Sequence, residues 1–67
     1  MNPTDREIIN AMLLYGGRFV KLLSEAMTEA DPKNLERLKT AFPEYWAKYT
    51  LIAKAHNQTL QKLLEPK

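Results

Sequence analysis

The chain has no cysteine, which excludes disulfides and thiolate metal ligands. It has one histidine, His56, too few ligands to build a metal site within a single chain. Its two glycines stand side by side at Gly16-Gly17. They lie inside a helical pattern and not between a strand and a helix, so no phosphate-cradling loop of the Walker or dinucleotide type is on offer. No apolar run approaches the ~20 residues of a membrane span. Asp5 and Glu7 stand where a secretion signal would be basic and then apolar. With cysteine absent as well, the expected location is cytoplasmic. Asn57-Gln58-Thr59 matches a glycosylation sequon, and in that setting it reads as a chance match.

Charge of one sign is also scarce. The net charge is only +2, too small to imply a polyanionic partner. It is unevenly spread: residues 1–44 carry a net −1 and residues 45–67 a net +3. The basic end, with Lys48, Lys54 and Lys62, is a weak pointer to nucleic acid or an acidic protein surface.

What is present is helical. Sixty-seven residues make a single domain, spanning 1–67. Such a chain hides only about 60% of the surface its unfolded form exposes. Its core alone is worth roughly 3–5 kcal/mol. Small domains often add a disulfide, a metal or a second subunit. The first two are ruled out, so pairing into a homodimer is the expected reinforcement.

Pattern and punctuation predict three helices, over residues 4–30, 32–41 and 43–64. Thr4 and Glu7 form a T-x-x-E capping box, with Pro3 just outside it. From there Ile8, Met12, Tyr15, Phe19, Leu22, Ala26 and Ala30 recur at helical spacing. Ile9, Gly16, Val20, Leu23 and Met27 widen that stripe on one side. The stripe keeps its phase across Gly16-Gly17. The pair therefore reads as a kink, or as a close approach, within one continuous helix. Asp31-Pro32 sets an N-cap before a proline at the first helical position. Phe42-Pro43 ends the short second helix, because proline disfavours helical geometry in the residue before it. In the third helix Tyr45, Tyr49, Ile52, His56, Leu60 and Leu63 form the expected core stripe. Trp46 lies at its edge. The expected fold is all-α: two long amphipathic helices as an antiparallel hairpin, joined by a short one, and paired into a dimeric bundle.

Catalysis needs groups of tuned pKa held within mutual reach, and the chain offers little material for it. His56, on the apolar stripe of the third helix, reads as a partly buried, hydrogen-bonded histidine. Its functional alternatives are a general base, a pH switch or part of a metal site assembled in an oligomer. Phe42, Tyr45, Trp46 and Tyr49 read mainly as core, with Trp46 suited to anchoring an interface. Leu14 and Leu51 are more pointed. Each faces well away from its helix's apolar stripe, Leu14 among Asn10, Arg18 and Lys21, and Leu51 beside Ala47. Together they suggest a second apolar patch.

The expectation is therefore a non-enzymatic protein-protein interaction or assembly module, with no cofactor, no metal and no small-molecule substrate. Its size and make-up are common among small phage, plasmid or bacterial accessory proteins. The expected contact residues are Leu14, Tyr15, Trp46 and Leu51, supported by Arg18 and Lys48. The partner is a protein whose identity the sequence leaves open. The rival reading is a small nucleic-acid-binding regulator using the basic third helix. It is weakened because that helix is aromatic at its start, where base-contacting polar residues belong.

Overall fold

The structure is a computed structural model and describes residues 2–64, with side chains described through Asn57. Among the described residues the chain folds into four helices, α1 (Asp5–Tyr15), α2 (Arg18–Glu29), α3 (Pro32–Ala41) and α4 (Pro43–Leu64). The class is all-α.

The punctuation works through side-chain caps. The Glu7 backbone N–H donates to Thr4 Oγ1 at 3.2 Å, and the Thr4 N–H donates to Glu7 Oε1 at 2.9 Å. This satisfies two of the donors that every helix start leaves orphaned. Asp31 Oδ1 accepts from the Asn34 N–H at 2.7 Å, with Pro32 opening α3. Phe42, at φ −128° and ψ 59°, leaves the helical region between α3 and α4.

The continuous helix expected over 4–30 does not form. Gly16 (φ −78°, ψ 156°) and Gly17 (φ −73°, ψ −173°) are both extended, and the chain breaks into α1 and α2 there. The phase argument failed because α2 carries two apolar stripes, each at helical spacing. Phe19, Leu22 and Ala26 continue the stripe of α1 only if the helix is unbroken. Once it breaks, α2 is free to turn, and it buries Val20, Leu23 and Met27 with Ser24 instead. Phe19 and Leu22 are left exposed.

The core draws Ile8, Ala11 and Met12 from α1, Val20, Leu23 and Met27 from α2, and Tyr49 and Ala53 from α4. Leu35, Leu38, Phe42, Tyr45, Trp46 and Ile52 pack around it, partly buried. The expected antiparallel hairpin of two long helices is thus replaced. Short α1 packs against both α2 and α4, and α3 makes lighter contact with α2 and α4. Ser24, though buried, is satisfied: its hydroxyl donates to the Lys21 carbonyl at 2.6 Å. Lys39 links three elements. Its ammonium sits 2.7 Å from Asp5 Oδ2 and 4.7 Å from the centre of the Trp46 ring. The ion pair is half open to water, so it orients α3 more than it stabilises it.

Candidate interaction surface

Six large apolar side chains lie open to solvent among the described residues. They are Leu13, Leu14, Tyr15, Phe19, Leu22 and Leu51, each 43–68% exposed. Scattered singly they would be ordinary surface. Most of them gather instead on two faces.

The first face is on α2. Phe19 packs its ring against Phe42 and Tyr45, with centroids 5.8 Å and 5.7 Å away. The contact with Phe42 is edge-on at 64°, a favoured geometry for the ring quadrupoles. One side of Phe19 is held by the start of α4 while the other meets solvent. Leu22, one turn further along, extends the apolar strip toward Ala26, which is also exposed.

The second face is a groove between α1 and α4. Leu14, Tyr15, Ala11 and Ala53 supply its apolar lining, and Glu7, Asn10, His56 and Asn57 supply the polar part. The helices packed against α4, α1 and α3, are 11 and 10 residues long against its 22. Among the α4 residues whose side chains are described, Ala53 is the last buried one and His56 is exposed although it lies on the same stripe, while Leu60 and Leu63 lie outside the described side chains. This corrects the expectation of a partly buried histidine, and it removes the core environment that a buried pH switch requires. Asn57 donates its side-chain amide to Glu7 Oε2. The nitrogen that glycosylation of the sequon would need is thus engaged across the bundle.

Glu7 therefore holds two things at once, the start of α1 and the α1–α4 contact. The Thr4 backbone N–H, then the Asn57 amide and the Thr4 hydroxyl, lower its pKa below the ordinary 4.5, against a small opposing effect of burial. A carboxylate whose folded pKa is depressed adds stability above its unfolded pKa and loses it as pH falls through the folded one. The thermal midpoint is expected to fall as pH drops below about 4.5. Glu7→Gln keeps a capping-box side chain and should flatten that acid limb. An acid limb equally steep in Glu7→Gln would remove Glu7 from the account.

The expected contact residues are placed unevenly. Leu14 and Tyr15 meet in the groove. Arg18 is exposed at the first position of α2. Trp46 is half-buried under Lys39. Lys48 is exposed, with its ammonium 5.6 Å from the Tyr49 ring centre. Leu51 is exposed on α4, about 160° around the helix from buried Tyr49 and Ala53 at ~100° per residue, and it is not part of the groove lining. Sequence reasoning missed Phe19 and Leu22, which it assigned to the core. The glycine pair together with the second stripe, Val20–Leu23–Met27, was the signal that could have found them.

Among the described residues no three histidine or carboxylate side chains cluster as a metal site, and no helix is long and apolar enough to cross a membrane. No protein-family model, curated protein or solved structure matches the chain.

Proposed function

We propose that this protein is a non-enzymatic protein-protein interaction or assembly module. The observation that carries the reading is the amount of large apolar surface left outside so small a core, concentrated on the α2 strip and in the α1–α4 groove. Exposed apolar surface that is gathered and rimmed by polar groups is the mark of a surface meant to be covered. The rims supply Arg18 beside the strip, and Glu7, Asn10 and His56 around the groove.

The test combines Leu14→Glu, Leu22→Glu and Leu51→Glu in one chain. All three positions are exposed, so helix content by circular dichroism should hold. Self-association by light scattering, and retention of any protein captured from the source cell, should both disappear. Unchanged association in the triple variant, or no association of any kind by the wild type, would count against the reading. Salt-dependent binding of DNA or RNA by the wild type, lost on Lys48→Glu with Lys54→Glu, would replace it with a nucleic-acid-binding one.

A further inference from the structure

We propose that α2 is the seat of a symmetric homodimer, in which a second copy of this chain lays its own α2 antiparallel across the first with Leu22 at the two-fold axis. The proposal rests on the interaction reading above and names the partner and the surface.

The argument is one of self-complementarity along α2. At ~100° per residue, Phe19 and Ala26 lie about 20° apart and form one row on the exposed side of the helix. Arg18 and Glu25 likewise form a neighbouring row. Leu22 stands between the two. All five are exposed. Antiparallel pairing about Leu22 sets each residue against the one equally far beyond Leu22 on the other helix, and each row against its own counterpart. Phe19, three residues before Leu22, then meets Ala26 of the partner subunit, so a large ring faces a small methyl. Arg18, four residues before, meets the partner's Glu25, so opposite charges face each other. The partner's Leu22 packs on Leu22. All three pairings fall on the same centre to within half a residue. Parallel two-fold pairing would instead set the two rows against each other, so that Phe19 and Ala26 face the charged row of the second copy and neither complement forms.

Two structural facts favour this docking. Among the described residues neither Arg18 nor Glu25 makes an ion pair within the chain, so both are available across an interface. Phe19 is already clamped against Phe42 and Tyr45, so little side-chain freedom remains to be lost when its open side is covered. A two-fold interface uses the same patch on both copies, and this patch matches itself in shape and in charge.

Sedimentation velocity across chain concentrations up to about 1 mM tests it. The wild type should shift from one chain to two as concentration rises. Leu22→Glu should weaken association by roughly tenfold or more while circular dichroism keeps its helix signal. Arg18→Glu and Glu25→Arg should each weaken it, and the two together should restore it, because the charges have only exchanged places. Leu14→Glu, in the groove, should leave it unchanged. A wild type monomeric throughout would overturn the proposal, as would a charge-exchanged double variant no better than the single ones. So would dimerisation lost on Leu14→Glu and kept on Leu22→Glu. A monomeric wild type that still retains a cellular protein through its exposed leucines would overturn the dimer while leaving the interaction module standing.

Discussion

Met12→Ala is expected to remove most of the stability the chain has at 25 °C. Met12 is fully buried on α1, the helix that packs against both α2 and α4. Its side chain belongs to the cluster that joins Ile8 and Ala11 to Val20, Leu23, Met27, Tyr49 and Ala53. Truncating a buried methionine costs about 2–5 kcal/mol, the lost transfer energy plus the cavity left behind. The whole domain holds only about 3–5 kcal/mol in reserve. In a larger protein the same change would shift a midpoint, whereas in this chain it consumes most of the margin. Urea unfolding followed by far-ultraviolet circular dichroism measures it, with Leu14→Ala as the control. Leu14 is exposed, and its truncation should fall within about 0.5 kcal/mol of the wild type. A Met12→Ala midpoint equal to that of the control would mean that the three helices do not share a core at this position.

Gly16→Ala should be the second large effect, and it separates the two adjacent glycines. A Cβ on Gly16 would lie 2.5 Å from the Met12 carbonyl oxygen and 2.7 Å from Val20 Cβ, and it would also collide with Val20 Cγ1. The carbonyl is backbone at the end of α1, where it accepts the Gly16 N–H at 2.9 Å, and Val20 is buried. Neither can yield cheaply, so the expected cost is about 1–3 kcal/mol. Gly17 meets nothing within 4 Å and caps α2 with no side-chain hydrogen bond. Its backbone conformation suits any residue. Gly17→Ser should therefore stabilise by about 0.5–1 kcal/mol, by restricting the unfolded chain and supplying a cap. Opposite signs at adjacent positions, read from the same urea titration, are the signature. A Gly16→Ala variant as stable as the wild type would show that α1 and α2 do not approach as closely as the turn at Gly16 requires.

The same glycine pair marks where sequence reasoning was sufficient and where it was not. The Thr4–Glu7 box, the Asp31 cap ahead of Pro32 and the Phe42-Pro43 stop each act within about one helical turn. Their chemistry is complete in a few neighbouring residues, and each ended or began a helix where its composition said it should. The exposure of Leu14 and Leu51 was legible for the same reason, since each lies far around its own helix from the buried face. The burial of His56 was misjudged because a helix position can face a neighbouring helix and still line an open groove, as His56 does beside Asn10 and Leu14.

By itself, then, the sequence determined the helical class, the caps and most of the helix ends, all through contacts spanning four residues or fewer. It also determined that α2 would be amphipathic, but not which of its two apolar stripes would be buried. Phe19–Leu22–Ala26 and Val20–Leu23–Met27 satisfy the same periodicity, and two glycines permit either a kink or a turn between them. Only tertiary structure decided that choice. α1 and α2 could pack on one another once the chain broke at Gly16, with no Cβ there to hold Val20 away. The outcome placed Met27 in the core and Phe19 against Phe42 and Tyr45. It also left Leu22 facing outward, at the centre of the face proposed above to pair with a second copy of the chain.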